Sequence, residues 1–265
     1  MLNLSDRVAV VTGASKGIGR GVAVGLGESG ATVVITGRTK ATGDYFESGI
    51  DVTAELVTLA GGRGFPIHCD HRIDSEVNSL FDFTNSDLGG VDILVNNVQD
   101  TPDFKDLWVD TPFWDVAPEV WDQLFEVGLR SHFVASKYAV PQMIKKGRGL
   151  IVNISSVGAT QRIGAVLPYG VAKTALDRMT SDMAAEAARY NIAVISLWPP
   201  PTSTPAMIRA LTSSDDPSYM SLPIVTGRVI AELAVDPEVS RWSGKALRVR
   251  DLAKNYGVED LRYQL

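Results

Sequence analysis

Arg7-Val8-Ala9-Val10-Val11-Thr12 runs without a break into Gly13-Ala14-Ser15-Lys16-Gly17-Ile18-Gly19, and an amphipathic stretch continues to Ser29. The first six positions are almost all apolar, as in a strand covered on both faces. Glycines at 13, 17 and 19 permit a tight turn and a close approach of the backbone to a ligand. The free N–H groups and the dipole of the helix that opens there favour an anion. A glycine trio alone is a weak signal; between a strand and a helix, early in the chain, it predicts a phosphate cradle built from Gly13, Ser15, Lys16, Gly17, Ile18 and Gly19.

The same rhythm repeats along the chain. Strands are expected at Arg7–Thr12, Ala31–Thr36, Gly64–His68, Val91–Asn96, Gly149–Ile154, Ile192–Leu197 and Ala246–Val249. Helical patterns fill the gaps at Gly17–Ser29, Ile50–Ala60, Ser75–Asp87, Pro118–Lys146, Pro168–Tyr190 and Ile224–Val235. Alternating strand and helix implies a parallel sheet wrapped on both sides, and right-handed crossovers make it doubly wound. The expectation is an α/β protein with a seven-stranded parallel sheet, one domain over residues 1–265. Two long connections, 98–117 and 199–223, leave the carboxyl ends of strands, where such sheets bind ligands.

Composition excludes several classes. The 265 residues are 45% apolar and 21% charged, ordinary globular values. The net charge of −6, from 25 basic and 31 acidic residues, argues against nucleic acid as a partner. Cys69 is the sole cysteine, so no intramolecular disulfide forms. The amino terminus does not read as a signal peptide, and the longest charge-free stretch, between Arg189 and Arg209, is broken by Pro199, Pro200, Pro201 and Pro205. These features point to a soluble, cytoplasmic protein without membrane attachment. His68, His71 and His132 lack metal-ligand spacing, and no metal site is expected.

The second strand ends Thr36-Gly37-Arg38. An acidic residue near this point would hold a ribose 2′-hydroxyl, as in NAD sites; none is present. Arg38 with Lys16 suits a 2′-phosphate, so NADP(H) is expected over NAD(H). Further on, Tyr169 and Lys173 lie one turn apart on one helix face. A free tyrosine titrates at about 10, and an adjacent ammonium is expected to lower that by about 1–3 units. Tyr169 then serves as general acid for carbonyl reduction or base for alcohol oxidation. Ser155 and Ser156 follow the fifth strand, where a hydroxyl can hold the substrate oxygen.

Taken in order, these motifs resemble the short-chain dehydrogenase/reductase family over almost the whole chain. They are Thr12 to Gly19, Cys69-Asp70, Asn96-Asn97, Ile154-Ser155-Ser156, Tyr169-x-x-x-Lys173 and Pro199. Val127-Gly128-Leu129-Arg130, Ser196-Leu197-Trp198-Pro199 and Ser243-Gly244-Lys245 narrow the likeness to the subgroup called dehydrogenase/reductase member 1. The resemblance implies that Ser156, thirteen residues before the tyrosine, is the catalytic serine, that Tyr169 donates the proton and that Lys173 binds the nicotinamide ribose and tunes Tyr169. It also implies Asp70 at the adenine, Asn97 near the riboses, Pro199 beside the cofactor and Thr204 at the carboxamide. A homodimer or homotetramer reducing steroid-like or other lipophilic ketones is implied as well.

Four positions depart from the family pattern. Val98-Gln99 replaces the usual Ala-Gly, Pro200 replaces a glycine, and Gly128 stands where an asparagine commonly holds a proton-relay water. A backbone carbonyl with water, in the room a glycine leaves, is the expected substitute. The substrate pocket is expected to draw on Trp108, Phe113, Trp114, Val166, Leu167 and Met207, with Gln99, Gln161 and Arg162 as polar anchors. Two rival readings use the same residues: a cofactor-binding sensor without turnover, and an enoyl reductase or epimerase on the same fold.

Overall fold

The computed structural model describes residues 2–39, 49–100, 111–210 and 219–259. Its sheet has seven parallel strands in the order β3-β2-β1-β4-β5-β6-β7. They are β1 (Val8–Val11), β2 (Thr32–Gly37), β3 (Arg63–His68), β4 (Ile93–Asn96), β5 (Gly149–Ile154), β6 (Ile192–Trp198) and β7 (Ala246–Arg248). The helices are α1 (Gly17–Gly27), α2 (Ile50–Leu59), α3 (Asp74–Asp87), α4 (Pro118–Phe125), α5 (Ser131–Lys146), α6 (Leu167–Ala187), α7 (Pro205–Ala210), α8 (Pro223–Val235) and α9 (Val249–Tyr256). This is the doubly wound Rossmann architecture expected from the alternating pattern.

The strands are apolar at successive positions because each face is covered by helices. Ala9, Val11, Val33, Ile35, Val152 and Ile195 face one buried cluster with residues of α1, α8 and α9. Val10, Val34, Leu94, Ile151 and Val194 face the other, with residues of α3, α5 and α6. Fully burying one such side chain contributes about 1.5–3 kcal/mol, against about 0.5–1.5 for a typical hydrogen bond, so these two layers dominate the fold's stability. Pro66 sits inside β3 without disrupting the sheet because β3 is an edge strand, paired only to β2. On the first of these faces, α1 and α8 touch through backbone: a Cβ at Gly21 would lie 2.3 Å from the carbonyl carbon of Pro223.

Most boundaries agree with the sequence reading to within two residues. β4 starts at Ile93 rather than Val91, because Asp92 turns its carboxylate inward. It accepts from the Val8 N–H at 2.9 Å and pairs with Lys146 at 2.6 Å and Arg148 at 3.0 Å. The expected continuous helix from Pro118 to Lys146 needs a larger correction. α4 and α5 are joined by a π-helical turn, Glu126–Arg130, closed by the Ser131 N–H donating to the Glu126 carbonyl. The extra residue per turn falls at Gly128, where the lack of a Cβ weakens the regular helix.

Candidate active site

The strand order reverses between β1 and β4, and a crevice opens there at the carboxyl ends of the strands. It is a cavity of about 390 Å³ lined by Gly13 and Ser15 to Gly19, by Gly37 and Arg38 from β2, and by Asp70, Asn97, Gln99, Tyr169 and Thr204. Gly13 and Gly17 have φ of +65° and +60°, in the region that favours glycine. No side chain caps α1, so its first N–H groups are left for a ligand. Lys16 is exposed at this helix start, and Arg20 braces the turn by donating to the Ser15 carbonyl at 2.7 Å. This cradle fits the pyrophosphate of a dinucleotide.

The loop after β4 is pinned by Thr12, which the sequence reading did not single out. Its hydroxyl accepts from the N–H groups of Asn97 at 2.9 Å and Val98 at 3.0 Å. The Asn97 side chain donates to the carbonyls of Thr12 at 2.8 Å and Gly13 at 3.1 Å, so it ties the glycine turn to β4 while lining the cavity. Asn96 faces inward, donating to Ser136 and Asn153. At the far end Asp70 is held by Arg72 at 2.6 Å, and that bonding holds its carboxyl at about 2. Arg38 lies 3.5 Å from Asp100, a partner with no sequence signal because the contact joins two separate strand ends.

Ser156, Tyr169 and Lys173 come together where β5 meets α6. Ser156 accepts from the Gly158 N–H at 3.1 Å and is hydrogen-bonded to the Tyr169 phenol. Ser155 instead turns back and donates to the Lys173 carbonyl at 3.3 Å, which separates the two serines as expected. Lys173 is buried; its ammonium donates to the Ile154 carbonyl at 3.0 Å and lies 5.7 Å from the centre of the Tyr169 ring. One turn further along, Asp177 accepts from Ser196 and Trp198, which fixes α6 on β6.

The charge state of the pair corrects the sequence reading. Burial pushes the Tyr169 phenol up from its ordinary value, and the Ser156 hydrogen bond only opposes the rise. Burial also lowers Lys173, to about 8, with Asp177 opposing. Desolvation, not the nearby ammonium, is the larger influence on the phenol.

Tyr169 also lines a second cleft, of about 700 Å³. Its walls include Phe113, Trp114, Gln161, Arg162, Val166 and Leu167, six of the residues expected at the substrate. Phe113 and Trp114 are 62% and 72% exposed and meet edge to face at 5.2 Å, so they do not pack the core. Gln99 belongs to the first cavity, and Met207 lines neither. Pro199, Ser156 and Lys173 are not among the residues lining the first cavity; the Lys173 ammonium is turned to the Ile154 carbonyl. Trp108 lies outside the described residues.

Position 128 brings a second correction. A Cβ there would lie 3.5 Å from Cγ and 3.8 Å from Cδ of Gln99, so a side chain, not open space for water alone, covers the glycine. His132, one turn on, donates from Nε2 to the Val98 carbonyl at 2.9 Å. His71 is buried against the Thr36 hydroxyl at 2.7 Å, and His68 lies by Glu76 at 3.7 Å. Among the described residues no group of three or more metal-ligating side chains gathers, and no helix is long and apolar enough to cross a membrane.

A glycine cradle at the β1–α1 turn and a serine, tyrosine and lysine at the β5–α6 edge define an oxidoreductase that uses a nicotinamide dinucleotide. The short chain dehydrogenase family model matches residues 7–215, and the chain belongs to the short-chain dehydrogenase/reductase family. It is similar to Dehydrogenase/reductase SDR family member 1 of Mus musculus, 38% identical over 271 residues, covering 97% of this chain and 84% of that protein. The Homo sapiens counterpart is 37% identical over 275 residues, with the same coverage. Among solved structures, a 7α-hydroxysteroid dehydrogenase complexed with NADH and 7-oxo glycochenodeoxycholic acid has a TM-score of 0.77 at 26% identity over 93% of each chain. A short-chain type dehydrogenase/reductase from Mycobacterium marinum has a TM-score of 0.75 at 25% identity, covering 93% of this chain and 94% of that one.

Proposed function

We propose that this chain interconverts a carbonyl and a secondary alcohol on a medium-sized lipophilic substrate, a ketone of steroid-like size, using NADP(H). The observation that carries the reading is that Tyr169 lines both cavities: the one with the glycine cradle and the one with the exposed aromatics. A single phenol thus stands where a cofactor and a substrate meet. The steroid ketone bound by the related hydroxysteroid dehydrogenase supports the substrate class. Arg38 and Lys16 at the ribose end of the cradle support NADP(H).

Reduced nicotinamide, when bound, supplies a hydride to the carbonyl carbon. The glycine turn and the start of α1 would hold the pyrophosphate, Arg38 would meet the 2′-phosphate, and Thr204 would face the nicotinamide. Ser156 donates to the substrate oxygen and polarises it. Tyr169 gives its phenolic proton to that oxygen as the carbonyl becomes an alcohol. The ammonium of Lys173, held at the Ile154 carbonyl, stabilises the phenolate left behind. Thr111 to Trp114, in the connection after β4, border the substrate. The reading extends to a cytoplasmic homodimer or homotetramer, with exposed Phe133 and Ile144 of α5 available to a second copy; sedimentation tests the assembly.

The test is NADPH oxidation over lipophilic ketones, aldehydes and quinones by wild type and Tyr169→Phe. Loss of turnover by at least about 100-fold with NADPH binding kept is the expected result. Equal turnover by both proteins sinks the mechanism. Tight NADPH binding with no carbonyl turned over favours the sensor reading.

A further inference from the structure

Three amides lie within four residues at the end of β4. Those of Asn96 and Asn97 are committed to protein partners. The third, Gln99, differs: its Nε2 is buried and has no hydrogen-bond partner among the described residues. A buried donor left unmade is unfavourable, and such groups in folded proteins normally meet a water or a ligand.

The side chain is not loosely placed. Thr12 fixes the N–H of Val98 and His132 fixes its carbonyl, so Gln99 leaves from an immobilised peptide. It lies against Gly128 in the π-helical turn, at ordinary contact distance from where a Cβ would be. An ordinary side chain at 128 would compete for that space, so the glycine and the glutamine are complementary. Gln99 and Val127 line the cavity that Tyr169 also lines. His132 Nδ1, in α5 just after the π-helical turn, is a second buried atom without a partner among the described residues.

We propose that Gln99 is a positioning residue for proton transfer: its carboxamide, seated over Gly128, donates to an ordered water in the cavity wall shared with Tyr169, and that water passes a proton to the phenolate while taking one from solvent. Resting on the reading of Tyr169 as proton donor, it replaces the expected backbone carbonyl with a side-chain amide from the opposite loop. The water has both a donor and an acceptor to offer, so it can satisfy the amide and pass a proton.

The test compares Gln99→Met, which keeps the packing over Gly128 and removes the donor, with the double variant Gln99→Gly/Gly128→Asn, which moves an amide onto the helix. Gln99→Met is expected to lower kcat about 10-fold or more and enlarge the solvent deuterium isotope effect. KM and the NADPH Kd should stay within about threefold, and the ligand-free Tm should not fall. The double variant should recover at least about a third of kcat. Unchanged kcat and isotope effect for Gln99→Met overturn the proposal. So does a joint fall of Tm, NADPH binding and kcat that the double variant does not repair, since that marks a packing role. A crystal structure of the wild-type protein decides independently of turnover: a water bonded to Gln99 Nε2 supports the assignment, and an amide bonded only to protein overturns it. Should wild type reduce no carbonyl, the carbonyl reading fails while the crystallographic result still judges Gln99.

Discussion

On the proposed NADP(H) reading, the exposed Arg38–Asp100 ion pair competes with the coenzyme, and its strength can be worked out. The Arg38 side chain is 50% exposed and sits 3.5 Å from Asp100. In water-like screening two unit charges at that separation attract by about 1.2 kcal/mol, and exposed pairs net about 0–1 once side-chain ordering is included. A 2′-phosphate carries nearly two charges and accepts the guanidinium in fork geometry, a contact of about 1.5–3 kcal/mol. Exchanging one partner for the other leaves about 0.5–3 kcal/mol in favour of NADPH, or about 2- to 160-fold in Kd. Arg38→Gln should therefore weaken NADPH binding by about that factor and leave NADH unchanged within about twofold. Asp100→Asn, which removes the competing carboxylate, should tighten NADPH by up to about fivefold. Fluorescence titration of both coenzymes at low and high salt reads these effects, and the NADPH preference should shrink as salt rises. Equal weakening of NADPH and NADH by Arg38→Gln, or a wild-type preference for NADH, refutes the reasoning.

Replacing Phe113 and Trp114 together by serine should raise KM for a lipophilic ketone about 10-fold or more, and barely change it for a small aldehyde. Because both aromatics are mostly exposed, Tm should hold, and a large fall would show that they brace the fold. Gly21→Ala forces a methyl to 2.3 Å from the backbone of Pro223. About 3 kcal/mol of overpacking, read as a Tm lower by roughly 6–12 °C, should follow; an unchanged Tm would mean that α1 and α8 slide apart freely. Burial holds His71 at about 4 and His132 at about 3, below the ordinary 6.5. The folded chain then binds fewer protons than the unfolded one, so stability falls as pH drops from about 6.5 toward 3. Thermal scans across that window should show a shallower loss for His132→Asn, and parallel curves would count against the buried rings as the cause.

The sequence alone determined a good deal here. Seven apolar runs alternating with amphipathic ones specify a parallel sheet covered on both faces, because only such strands tolerate apolar side chains at every position. The glycine turn and the tyrosine–lysine spacing are local, so chain order places them: Gly13, Gly17 and Gly19 must follow a strand, and Tyr169 and Lys173 must share a helix face. Those residues do meet in the structure, around one crevice. The tertiary structure decided whatever depends on contacts between distant segments. Whether Lys173 lowers the Tyr169 phenol depends on how deeply both are desolvated, and burial reversed the expected direction. Thr12 as the anchor of the β4 loop and Asp100 as the partner of Arg38 are pairings between separate strand ends, which no periodicity reports. The π turn and the cover that Gln99 places over Gly128 join two segments about thirty residues apart. In the sequence Gly128 is only a missing side chain, and the fold supplies the one that fills its place.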